Sequence, residues 1–188
     1  SIFYKGISPG FRADVGFVPR INRRYGSIYH GYTSFYDKKY LKEFNTSIKG
    51  DINYNYDNKL KTKNFDFNIS VKTFGKTEIS YVYEYNLIRN YLNFNFKNYG
   101  KSGLGIRGYP TENLTFGFEG KIGKEIAFNE ETPKIGKEKT IFFNLGYKLG
   151  NNISLSSSIN YSRLENLENN EAIYDGYISR LSFSYQFN

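Results

Sequence analysis

One pattern governs what this chain can fold into: large apolar and small polar side chains alternate residue by residue, in segment after segment. At the C-terminus Leu181, Phe183, Tyr185 and Phe187 alternate with Ser182, Ser184, Gln186 and Asn188. The same period of two runs through 11–17, 48–56, 65–71, 79–85, 92–96, 114–122, 141–149 and 153–161. Successive residues of a strand point to opposite faces, so each segment is a ribbon with one greasy side and one polar side. Turn residues separate the segments, and the whole predicts about eleven strands, plus the trace of another at 1–5. The stretches 26–36 and 101–109 are less regular but carry no helical period. The stretches 38–44 and 162–172, the only helix candidates, read as loops.

Composition decides which side of such ribbons is inside. The 188 residues are only 39% hydrophobic, yet 19% are aromatic, nearly all Tyr and Phe. In a soluble sandwich or small barrel the apolar faces would turn inward. Roughly forty large apolar side chains would then share an interior that an eight-stranded barrel can only just fill. Turned inside out, the same ribbons place aromatics against lipid and Ser, Asn, Gly, Lys and Glu against a wet lumen. Closure of the sheet then pairs every backbone group, as hydrocarbon requires. The expected fold is an all-β, antiparallel transmembrane β-barrel in the bacterial outer membrane, in contact with its lipid. A soluble all-β binding protein is the alternative. No apolar run approaches the roughly 20 residues of a membrane-spanning helix.

Two further patterns fit a barrel. The connections 87–90, 109–113 and 149–152 read as tight, whereas 98–103, 124–139 and 163–172 read as long and polar, the asymmetry of outer-membrane barrels. Only the short turn at 74–76 departs from it. Tyr54, Tyr56, Tyr81, Tyr83, Tyr85, Tyr147, Tyr161 and Tyr185 are expected near strand ends, where a ring and a hydroxyl meet different solvents. The final strand, with Leu181, Phe183, Tyr185 and Phe187, resembles the terminal signal that barrel-assembly machinery reads, with the last aromatic penultimate. The chain has no Met, and it is read as one domain over 1–188, the C-terminal part of a larger barrel.

The polar sides of the strands supply the candidate site, a charged lumen wall. Its basic members are Arg12, Lys49, Lys72, Lys97, Arg107, Lys121, Lys148 and Arg180, and its acidic members Asp14, Asp51, Asp66, Glu78, Glu84 and Glu119. Both signs on one wet wall imply either a pore with a transverse field or a lumen closed by salt bridges. The net charge of +8 is spread along the chain, so no concentrated patch for nucleic acid arises.

The segment 8–24, "SPGFRADVGFVPRINRR", resembles a motif of a family of large outer-membrane proteins of Bacteroidetes type. In that family a carbohydrate-binding family 9-like domain precedes a C-terminal barrel. The matching residues are Phe11, Gly16, Phe17, Val18, Pro19, Arg20, Arg23 and Arg24. The resemblance implies that earlier barrel strands lie outside this chain, and it implies no catalytic residues.

Other chemistry is thin. With no Cys, thiolate sites and Cys nucleophiles are excluded. His30 is the sole histidine and reads as an ordinary strand residue rather than a catalytic base. Glu165, Glu168, Glu171 and Asp175 lack the spacing of a calcium loop. The 100–108 stretch, "GKSGLGIRG", lacks the order of a phosphate loop, and its glycines suit bends or close packing. No cofactor, metal or enzymatic activity is expected. The expected function is a pore, transport or solute-binding barrel. The alternative is a membrane anchor or structural subunit with a plugged lumen, in company with other outer-membrane proteins.

Overall fold

The structure is a computed structural model that describes residues 1–10, 22–91, 93–128, 132–150 and 152–186. It forms a single antiparallel sheet of ten strands in strict sequence order. The first five strands are β1 (Ile2–Ile7), β2 (Arg23–Phe35), β3 (Glu43–Tyr54), β4 (Leu60–Lys72) and β5 (Glu78–Tyr91). The other five are β6 (Phe94–Gly108), β7 (Leu114–Ala127), β8 (Lys134–Leu149), β9 (Ile153–Asn166) and β10 (Ala172–Tyr185). Every neighbouring pair is antiparallel, and the sheet is open, with β1 and β10 as its edges. The expected strand at 11–17 and the motif around Gly16 lie outside the described residues, as does Phe187.

The alternating segments become strands because their Val, Ile, Phe and Tyr fit a pleated surface, and Asn recurs in the turns between them. Asn58 and Asn170 sit in turns at φ 60° and 56°, a left-handed conformation that Asn tolerates better than most residues. In the β3–β4 turn the Asn55 side chain accepts a hydrogen bond from the Lys59 amide at 2.7 Å. A single 3-10 turn, Phe74–Lys76, joins β4 to β5.

Connection lengths correct the sequence reading. The stretch 87–90 lies inside β5, 98–103 lies inside β6, and most of 124–139 and half of 163–172 is strand. Alternating charges hide those extensions, because a strand that is polar on both faces carries no apolar period. Hairpin turns are therefore short at both ends of the sheet, and the expected asymmetry is absent from the described hairpins. Tyr81, Tyr83 and Tyr85 also occupy the body of β5 rather than its end.

The pairing register sorts side chains onto two faces. One face carries Phe44, Ile48, Phe65, Phe67, Ile69, Tyr81, Tyr83 and Tyr85 on β3 to β5. It continues with Leu104, Phe118, Ile122, Ile141, Phe143, Leu145, Tyr147, Leu155 and Ile159 on β6 to β9, and Leu181, Phe183 and Tyr185 on β10. This apolar face is bare: Leu104 is 63% exposed, Ile122 51% and Leu181 75%. Among the described residues the buried hydrophobics are only Phe96, Tyr99, Ile126, Ala127 and Leu164. Among the described residues nothing packs on the hydrophobic side of the sheet.

Candidate functional site

On the opposite face the register brings charges together. Lys49 of β3 stands opposite Asp66 of β4, which stands opposite Glu84 of β5, which stands opposite Lys101 of β6. A second row runs Glu43, Lys72, Glu78, Arg107 across the same strands. It ends through Gly117, Asn144 and Ser158 at Arg180 of β10. Opposite charges facing across strands stabilise the pairing and fix register.

Several pairs close into contacts. Lys72 bonds Glu43 at 2.8 Å. Lys49 turns along its own strand to Asp51 at 2.6 Å, leaving Asp66 without an ion pair among the described residues; the Tyr25 hydroxyl also donates to Asp51. Two lysines reach two strands away. Lys121 of β7 contacts Glu84 of β5 at 3.0 Å as well as Glu119 at 3.0 Å. Lys101 of β6 contacts Glu138 of β8 and Glu125 of β7, each at 3.0 Å.

Glycine makes the long reach possible. Gly103 lies between Val82 and Lys121 in the register, and a Cβ there would come within 2.6 Å of the Lys121 stem. Gly123 occupies the same relation to Lys101 and Glu138. Lysine stems therefore lie over glycine backbone, and their ammonium groups are withdrawn from solvent. The side chains of Lys101, Glu125 and Glu138 are 19%, 21% and 17% exposed. Charge is covered on this face while leucine and phenylalanine are open on the other.

Near the β5–β6 turn this face acquires a small cover. Pairing between β6 and β7 stops at Lys101 and Gly123, so the end of β7 parts from β6 and reaches back to β5. Arg89 contacts Glu125 at 3.8 Å and stacks over the Phe128 ring at 4.9 Å. Tyr91 meets that ring edge-on at 4.8 Å. Phe96, Tyr99 and Ile126 pack beneath with Ile135. Beside this cover lies a groove of about 440 Å³, whose lining includes Asn64, Asp66, Asn68, Glu84, Asn86 and Arg89. Its wall offers amide, carboxylate and guanidinium groups to a polar solute.

Of the charges expected on this wall, Lys49, Asp51, Asp66, Lys72, Glu78, Glu84, Arg107, Glu119, Lys121, Lys148 and Arg180 share the polar face. Lys97 does not. The register slips between Lys63 and Asn64 against β5, and Lys97 pairs with Ile88, which pairs with Lys63 on the apolar side. Asn98, with φ 54°, sits at that bulge and flips the alternation. Arg12 and Asp14 lie outside the described residues.

The sequence reading missed Glu43, Arg89, Lys101, Glu125 and Glu138. Lys101 keeps the parity of Arg107 and was legible in principle, whereas Arg89 is readable only once the bulge is known, and Glu138 sits in a stretch read as loop. His30 stands on the apolar face opposite Ile48, away from the polar-face acids. Glu165 and Asp175 pair with Arg163 at 2.8 and 3.2 Å. Among the described residues no cluster of His, Asp and Glu has a metal-binding arrangement. The chain matches no protein-family model, no curated protein and no solved structure.

Proposed function

We propose that this chain forms part of an outer-membrane β-barrel whose apolar face meets lipid and whose charged face lines a pore or solute-binding lumen. The observation that carries this reading is the inversion of burial. Large apolar side chains stand open on one face, while ion pairs are withdrawn from solvent on the other. In water this exposes far more contiguous apolar surface than soluble monomers tolerate. Against hydrocarbon it is the low-energy arrangement.

The sheet edges at β1 and β10 are closed in this reading by strands beyond the chain or by each other, since an open edge has no partner in lipid. The resemblance of segment 8–24 to the family of large outer-membrane proteins is in keeping with this assignment.

The polar wall supports passage or docking of polar solutes through the groove beside Arg89. The second reading is an anchor with a closed lumen, favoured by one feature, the inward contact of the β7 end with β5. Conductance of the reconstituted chain in a planar bilayer separates them. Steady ohmic steps are expected from an open lumen. Insertion without conductance would establish the closed form, and failure to enter the bilayer would overturn the membrane assignment.

A further inference from the structure

The apolar face is not uniform along the strands. On β8 its outward residues run Ile141, Phe143, Leu145, Tyr147, Leu149, and toward the other end of the strand they change to Lys139 and Lys137. On β9 the band Ile153 to Tyr161 gives way to Arg163 and Glu165, and on β7 Ile122 gives way to Lys124. Lys63 and Lys97 mark the same end of β4 and β6. At the opposite end the outward strand residues are Ser34, Phe44, Val71, Ile79, Leu114, Leu149, Ile153 and Tyr185, with no charge among them. Within the strands, the cations of this face thus gather at one end; at the other end Lys42, one step beyond β3 and opposite Tyr36, is paired with Asp37 at 3.8 Å.

Their pairing is incomplete. Lys139 and Arg163 share Glu165, at 3.7 and 2.8 Å, and Arg163 also meets Asp175. Lys124 and Lys137 stand directly opposite one another in the β7–β8 register. Lys137 also faces Glu165 across β9, but that carboxylate bonds Arg163 and Lys139, and neither Lys124 nor Lys137 has an acid within ion-pair distance among the described residues. Like charges placed directly across a strand pair are destabilising unless something anionic sits between them. Lysine stems also lie readily along apolar surface while the ammonium extends to the polar boundary. An outward position at the rim of an apolar band is where the phosphates of lipid headgroups would lie.

We infer that Lys124 and Lys137, flanked by Lys139 and Arg163, bind the phosphate of anionic lipid headgroups and so fix the height and direction of the sheet in the bilayer. This rests on the membrane assignment above. The band from Ile141 to Leu149 spans about 27 Å along the strand at roughly 3.4 Å per residue, or near 20 Å of height at a tilt of about 40°. That approaches the apolar height of an outer-membrane barrel, so the lysines fall at headgroup level.

The test is lipid selectivity by electron spin resonance, with the chain reconstituted in phosphatidylcholine vesicles containing spin-labelled phosphatidylglycerol or spin-labelled phosphatidylcholine. The motionally restricted fraction should favour phosphatidylglycerol several-fold, and Lys124→Gln/Lys137→Gln should lower that preference by a factor on the order of five or more. Lys124→Arg/Lys137→Arg should retain it. Insertion with no preference for phosphatidylglycerol overturns the lipid site and leaves the membrane assignment standing. A preference unchanged in the glutamine variant overturns the assignment to these lysines. Absence of any restricted lipid overturns the membrane assignment and this inference together.

Discussion

Lys121 can touch Glu84 because the strand between them presents a glycine at that point. Gly103 has Lys121 Cγ, the Gly120 carbonyl and a Val82 methyl at 2.6, 3.0 and 3.2 Å from where a Cβ would stand, so a larger residue must displace side chain and backbone together. Gly103→Val should destabilise the folded state by about 1–3 kcal/mol, as overpacking does, measured by urea unfolding in detergent micelles. A stability within about 0.5 kcal/mol of the parent would mean that the lysine stem does not lie there.

Lys101 offers a sharper contrast, since it alone sits 3.0 Å from both Glu125 and Glu138. Lys101→Met leaves two carboxylates without that cation, and Arg89 is only 3.8 Å from one of them. A loss of about 2 kcal/mol is expected, below the 3–5 kcal/mol of fully buried pairs because the cluster retains some solvent. Lys101→Met/Glu125→Gln/Glu138→Gln should recover most of it, because neutral amides need no counter-charge. If the triple variant is the least stable of the set, the cluster contributes net attraction rather than mutual neutralisation.

At the level of strands, the apolar period was legible and the polar extensions were not. Segments 65–71, 114–122 and 141–149 lie inside β4, β7 and β8, because each has an unbroken alternation of large apolar side chains. The extension through Lys134–Lys139 has charges on both faces, and Arg163–Asn166 puts Arg163 and Glu165 on the otherwise apolar face, so both read as loops. Most of the charges that parity groups together share one face in the register. Parity fails at Lys97, where a bulge at Leu87 and Asn98 reverses the alternation. The long-range reach of Lys101 and Lys121 depends on register, which no single strand encodes.

The two faces predict different tolerance to charge at one height in the sheet. Leu145 lies on the apolar face, and Ser156, on the neighbouring strand one step away, lies on the polar face. Leu145→Lys should cost about 2–4 kcal/mol in folding into phosphatidylcholine vesicles, the midplane value for a lipid-facing cation. Ser156→Lys should stay within about 1 kcal/mol of the parent. Equal tolerance at both positions would place water on both faces.

For the molecule as a whole, one sheet of ten strands holds a polar face with ion pairs across three strands and an apolar face that no described residue covers. Among the described residues the cluster of buried hydrophobics is Phe96, Tyr99 and Ile126, small for a sheet of this size. The central claim is therefore about which solvent meets which face. The chain has no Cys, so single thiols can be placed without background. The decisive measurement is fluorescence quenching of a thiol-linked probe at Phe143→Cys, Asn144→Cys and Leu145→Cys in vesicles. Nitroxide-labelled lipid should quench at positions 143 and 145 and aqueous iodide at 144. Iodide quenching at 143 and 145, with lipid nitroxide silent, would contradict the account and return the apolar face to the inside of a soluble fold.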